Sequence, residues 1–165
     1  MDKIQLTWED IHDCVRRVIA QIDRDYDCML VVTRGGLVPA CLISEQIDLR
    51  NILVAAVMFY TGVDQRLDAP IFLQFPADPL LAGKRVLVVD DVWDSGRTIM
   101  AVKKRVEEAQ GVPTLAVLHY KPSRSQFAAT PDIWAKETGD WLVYPWDPSS
   151  RYSAEPATAA SIAAK

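Results

Sequence analysis

The stretch Val86–Thr98, VLVVDDVWDSGRT, gathers the residue types in this chain that could do chemistry. Its apolar start, Arg85–Val89, reads as a buried strand rich in Val and Leu, and it runs into two adjacent carboxylates, Asp90 and Asp91. Asp94-Ser95-Gly96-Arg97-Thr98 then forms a turn that opens a helix from about Thr98 to Gln110, with Gly111 at its C-terminal end. Ligands of open α/β sheets bind at the carboxyl ends of strands. A helix N-terminus preceded by Gly and Ser offers free N–H groups and a positive dipole end to a phosphate. The adjacent acids suit a sugar diol, whose hydroxyls donate to carboxylates. They equally suit Mg²⁺, which takes oxygen ligands and keeps several waters. A phosphate cradle beside a diol or metal site is the footprint of a ribose 5-phosphate. Asp residues that merely cap a helix would account for a lone Asp-Asp or a lone Gly turn, but not for the whole pattern. Neither GxxxxGK[ST] nor GxGxxG occurs in the chain.

The remaining elements must position that segment. Thr7 followed by Asp10 resembles a capping box with Asp in place of Glu, and Ile11, Val15, Val18, Ile19 and Ile22 recur with helical periodicity. Cys28–Thr33 is a short unbroken apolar run, hence a buried strand. Arg34-Gly35-Gly36 breaks it, and Pro39 starts a second helix through about Ile47. Ile52–Phe59 reads as a strand, Tyr60–Pro70 as a mobile loop, Ile71–Phe75 as a short strand, Thr114–Tyr120 as the next and Trp141–Tyr144 as the last. Buried strands alternating with helices give an α/β fold, a parallel sheet with helices on both faces. Residues 1–152 form one domain, and the Ala-rich tail 153–165 reads as poorly ordered.

The 165 residues include 16 Asp and 6 Glu against 18 Lys and Arg, a net charge of −4. That acidic balance argues against a nucleic-acid partner held on a basic face. The excess of Asp over Glu belongs at caps and turns, where sites are built. No signal peptide opens the chain and no apolar run is long enough for a bilayer, so no membrane insertion is expected. Cys14, Cys28 and Cys41 show no ligand spacing and read as buried small hydrophobes in a reducing cytoplasm.

Val86–Thr98 resembles the phosphoribosyl-pyrophosphate signature of the type I phosphoribosyltransferases. Thr33–Pro39 (TRGGLVP) is similar to the pyrophosphate loop of their bacterial purine branch, the xanthine-guanine and hypoxanthine enzymes. His119-Tyr120-Lys121-Pro122 resembles that branch's purine-contacting Lys-Pro, and Trp141–Asp147 (WLVYPWD) its base-binding stretch. Thr7-Trp8 matches the entry into its first helix. These elements come in family order and span Thr7 to Tyr152.

The resemblance implies the type I fold with a small C-terminal hood, and a role for each matching residue. Asp90 and Asp91 bind the ribose hydroxyls directly or through Mg²⁺, with Asp147 a secondary metal candidate through water. Asp94, Ser95, Gly96, Arg97 and Thr98 hold the 5-phosphate, although Arg97 reads equally well as a solvent-facing helix residue. Asp94 is also the catalytic candidate, exchanging a proton at purine N7 or stabilising charge on the ring, a role compatible with capping the helix. Thr33, Arg34, Gly35 and Gly36 bind pyrophosphate, with a cis peptide expected at Thr33–Arg34. Lys121 donates to O6 of a 6-oxopurine. Trp141 stacks on the purine, unless it is a core residue of its strand, and the main chain of Leu142 reads the base edge. Tyr60, Gln65 and Arg66 belong to the flexible loop that closes over the site. Relatives tend to have Ser-Tyr entering that loop, and this chain has Phe59-Tyr60.

The implied activity is transfer of 5-phosphoribosyl from phosphoribosyl pyrophosphate to N9 of guanine, xanthine or hypoxanthine. The products are the nucleoside monophosphate and pyrophosphate. The implied cofactor is Mg²⁺ and the implied assembly a homodimer or homotetramer. The alternative is a non-catalytic regulator of the same fold that binds phosphoribosyl pyrophosphate or a nucleotide.

Overall fold

Cys28–Val32 and Val86–Asp90 are buried at every residue, as strands covered on both faces must be. A computed structural model describes residues 3–62 and 65–147, with backbone alone at 60–62 and 65–68. The elements are β1 (Lys3–Gln5), α1 (Trp8–Ile19), β2 (Cys28–Thr33), α2 (Leu37–Ile47), β3 (Ile52–Gly62) and β4 (Gln65–Gln74). They continue with β5 (Arg85–Trp93), α3 (Arg97–Glu108), β6 (Val112–Tyr120), β7 (Ile133–Glu137) and β8 (Trp141–Val143). Six strands form one sheet in the order β4-β3-β2-β5-β6-β7, and β1 and β8 form a separate two-stranded sheet.

The two-residue period of the strands divides the core. Cys28, Leu30, Val32, Val86 and Val88 pack with Ile99, Val102 and Val106 of α3. Met29, Val31, Leu87 and Val89 face the other way, onto Ile11, Val15 and Val18 of α1 and Ala40 and Ile43 of α2. All neighbouring pairs of the large sheet are parallel except β3–β4. From β2 the chain steps outward to β3, and from β5 it steps the other way to β6. The order therefore reverses between β2 and β5, which opens a crevice at their carboxyl ends.

The expected box caps α1. Thr7 Oγ1 accepts from the Asp10 N–H at 3.2 Å, and the Asp10 carboxylate accepts from the Thr7 N–H at 2.8 Å. Thr7→Ala is expected to cost about 1 kcal/mol and lower Tm by a few degrees. A thermal melt unchanged by the substitution would show the cap adds nothing.

Five expectations are corrected. Residues 60–62 and 65–70 are strand rather than loop. β3 runs to Gly62 and β4 begins at Gln65, with Thr61 paired to Arg66 and Gly62 to Gln65. An antiparallel partner satisfies the main chain, and an edge strand tolerates the polar residues that suggested a loop. The side chains of Tyr60, Gln65 and Arg66 lie outside the described residues. The hood is also not C-terminal alone: β8 pairs in parallel with the N-terminal β1, Leu142 opposite Ile4. The outer strand beyond β6 is instead β7, which buries only Ile133 fully and so shows no apolar run. Cys14 and Cys28 are buried, but Cys41 is exposed, one helical step round from the buried Ala40. At the end of α3, Gln110 rather than Gly111 takes the left-handed conformation (φ 62°), and the Gly111 N–H bonds Val106 C=O at 2.9 Å. The tail 153–165 lies outside the described residues.

Candidate active site

Two helices begin at the crevice, and both leave their N-termini uncapped. α2 starts after Gly36 and α3 after Gly96, with no side-chain cap and no acidic residue in either first turn. α1, by contrast, has its box and two first-turn acids, Glu9 and Asp10. The positive dipole ends of α2 and α3 thus point at the space after β2 and β5, while the Leu37 N–H donates to the Arg34 carbonyl at 3.1 Å and the Arg97 N–H to Ser95 Oγ at 3.4 Å.

The Gly35 loop is packed directly against the acid pair. A Cβ on Gly35 would collide with the Asp91 carboxylate and push it aside, and one on Gly36 would meet the main-chain carbonyls of Val32 and Val89, which admits glycine alone there. The Thr33–Arg34 peptide before it is cis, as the resemblance implied. Gly96 has φ 81°, and a Cβ there would run into the Trp93 indole. Trp93 is itself fully buried, and its Nε1–H donates to Ser125 Oγ at 3.1 Å. The Gln126 N–H bonds the Ser95 carbonyl at 3.0 Å, so the segment after β6 braces the turn that opens α3.

β5 continues through Asp90 and Asp91 to Trp93, beyond the expected end at Val89. The Asp91 N–H donates to Asp90 Oδ1 at 2.9 Å. Burial, reinforced by the neighbouring Asp91 charge, pushes the Asp90 carboxyl well above its ordinary value. Burial likewise pushes Asp91 up to about 6. The folded protein therefore binds more protons than the unfolded chain between about pH 4 and 6. Through Asp91 stability drops as pH rises through that window, and Asp90 adds its own loss as it ionises. Asp91→Asn is expected to stabilise the protein by on the order of 2 kcal/mol at about pH 8 and hardly at all at about pH 4. Urea midpoints shifted equally at both pH values would contradict this origin.

Asp94 follows β5 and meets two cations. Its Oδ1 lies 2.5 Å from Arg124 Nε and 3.5 Å from Lys121 Nζ. Lys121 is only 5% exposed, not the solvated lysine a strand end usually carries, and its Nζ stands 6.0 Å from the Trp141 ring centroid. Trp141 is 56% exposed on β8, which rules out a core role. Leu142 pairs with Ile4 beside it, and Asp147 sits in the turn its own N–H closes onto Tyr144 C=O at 2.9 Å. Arg97 stacks its guanidinium 4.4 Å from the Phe59 centroid, so Phe59 of β3 holds a side chain at the start of α3.

Sequence reasoning missed Arg124. The available signal was its spacing from Lys121: Pro122–Arg124 is a single 3₁₀ turn, in which side chains at i and i+3 eclipse. It also missed His119 and Tyr144 as a pair. Among the described residues, no cluster of three or more His, Cys, Asp or Glu forms a metal site, and no helix is long and apolar enough to cross a membrane.

Residues 7–153 match the phosphoribosyl transferase domain model, so the chain belongs to that family. It is 31% identical over 150 residues to a xanthine-guanine phosphoribosyltransferase of Idiomarina loihiensis, covering 89% of this chain and 88% of the relative. A purine phosphoribosyltransferase from Pyrococcus horikoshii superposes with a TM-score of 0.78 at 32% identity, over 89% of this chain and 95% of that one. A Neisseria gonorrhoeae protein solved with bound ppGpp superposes at 0.77 and 28% identity, over 88% and 89% of the two chains.

Proposed function

We propose that this protein is a purine phosphoribosyltransferase, transferring 5-phosphoribosyl from phosphoribosyl pyrophosphate to N9 of a 6-oxopurine. The observation that carries this reading is the start of two helices, each from a glycine and with no acid in its first turn, after the strands that carry one buried acid pair, with Asp94, Lys121 and Trp141 alongside. The relatives' names support the purine as acceptor.

In this reading the N–H groups of Ser95, Gly96 and Thr98 hold the 5-phosphate and those of Arg34 and Gly35 the diphosphate. Asp90 and Asp91 accept from the ribose hydroxyls. Lys121 donates to O6, Trp141 covers the purine face and the Leu142 main chain reads its edge. The bond from C1 of ribose to the diphosphate oxygen breaks, the N9–C1 bond forms, and the purine gives up a proton. Asp94 balances the positive charge on the ring or takes that proton at N7. Excluding water protects the oxocarbenium-like sugar from hydrolysis, and most of the acceleration comes from positioning and fixed charge.

The donor set suits Mg²⁺: two adjacent carboxylates supply oxygen ligands, and a divalent cation would offset the burial and repulsion that raise both. When bound, Mg²⁺ neutralises the diphosphate as a leaving group. The family resemblance supports a cytoplasmic homodimer or homotetramer. The test is incubation with phosphoribosyl pyrophosphate, Mg²⁺ and each of guanine, xanthine and hypoxanthine, with the mononucleotide read by chromatography. The neighbour with bound ppGpp favours a second reading, a nucleotide-binding regulator of the same fold. Tight nucleotide binding with no turnover of any base would select it and overturn the enzyme.

A further inference from the structure

A chain of buried polar groups runs from α1 to the acid pair and uses side chains that the proposed chemistry leaves unassigned. The Tyr144 hydroxyl donates to the main-chain carbonyl of Asp91 at 3.2 Å. His119 Nδ1 lies 2.9 Å from that hydroxyl, and His119 Nε2 lies 3.8 Å from Cys14 Sγ. His119 and Tyr144 are both buried. With the hydroxyl proton given to Asp91, the Tyr144 oxygen has only lone pairs to offer His119, so Nδ1 carries the imidazole proton. Nε2 is then the acceptor for the Cys14 thiol. Burial pushes the imidazole down to about 4, which agrees with one proton on the ring at neutral pH. Every donor in the chain therefore has one acceptor.

The chain crosses between two parts of the site. Asp91 lies on β5, in the large sheet. Tyr144 directly follows β8, which belongs to the small sheet with β1 and carries Trp141 and Leu142. Stacking of Tyr144 on Trp146, with ring centroids 4.7 Å apart, fixes the ring that carries the hydroxyl. We propose that Tyr144 is a positioning residue: its hydroxyl, held by His119, sets the purine-reading strand β8 at a fixed place relative to the ribose-binding Asp91. This rests on the transferase reading above. Two bound substrates react fast only when their reacting atoms are held in line, and displacement of about 1 Å can cost about 100-fold.

The test is steady-state kinetics of the full chain, with the folded fraction normalised by thermal melts. Tyr144→Phe is expected to lower kcat about 10-fold while KM for phosphoribosyl pyrophosphate stays within about twofold, because the phosphate loops are untouched. His119→Leu should give the same split. His119→Asn, whose amide N–H stands near the place of Nδ1, should keep kcat within about twofold of wild type. Combining Tyr144→Phe with His119→Leu should be no worse than either alone, as one chain is broken once. If Tyr144→Phe fails to fold, the His119 pair carries the test. Wild-type kcat in Tyr144→Phe or His119→Leu overturns the proposal, and so does a loss that His119→Asn shares in full. A wild-type protein that turns over no purine overturns the transferase reading and this role with it. In that case the His119 Nδ1 proton, slow to exchange by NMR only if Tyr144 holds it, still reports whether the tie exists.

Discussion

Asp94→Asn should lower kcat by about 100-fold or more while Kd for phosphoribosyl pyrophosphate changes by no more than about threefold. General acid–base groups contribute roughly 100- to 10,000-fold when they act on a proton in the transition state. Asparagine keeps the shape of the side chain, so the phosphate loop of Ser95–Thr98 retains its main-chain donors. What disappears is the negative charge, in the one place where it faces both Lys121 and Arg124. Two effects then add. The purine loses the group that balances positive charge on its ring, and the two cations lose their common partner. Lys121 is buried, so leaving it unpaired carries a cost in stability as well as in rate. Asp94 is partly exposed, which makes that cost smaller than for a fully buried pair. A fall in kcat matched by an equal fall in phosphoribosyl pyrophosphate affinity would show that Asp94 only shapes the loop.

Trp141→Ala should raise KM for the purine by about 5- to 100-fold, the equivalent of roughly 1–3 kcal/mol for a base stacked on an aromatic ring. KM for phosphoribosyl pyrophosphate should not move. The ring is more than half exposed on β8, so little packing is lost and Tm should hold. Its neighbour Lys121 places an ammonium 6.0 Å from the indole centroid. Unchanged purine affinity in a well-folded variant would remove Trp141 from the site.

Much of this site is legible without a structure because its parts are local. VLVVDDVWDSGRT carries a strand, an acid pair and a phosphate turn within one run of chain, and CMLVVTRGG carries the strand and loop that lie beside it. In both, the alternation of apolar run, small residues and helix start is written in consecutive residues, so short-range physics settles it. The polar stretch from Tyr60 to Pro70 misled for the opposite reason. Its main chain is satisfied by pairing across a hairpin, and hydropathy alone does not distinguish an edge ladder from a loop. β7 escaped notice for the same reason, with too few buried residues to make a pattern.

The sequence by itself determined the class of fold, the order of its central elements and the residues available to hold a phosphorylated ribose. It did so because glycine, aspartate and apolar runs constrain the backbone within a few residues of themselves. Only the tertiary structure decided which distant side chains meet. It brings Arg124 onto Asp94, Phe59 under Arg97, β1 alongside β8 and Tyr144 onto the carbonyl of Asp91. Each contact joins groups far apart in the chain or on separate elements, and it is fixed by how the two sheets and three helices bury their apolar faces. Side-chain pairing of that kind follows from packing, which no local pattern encodes.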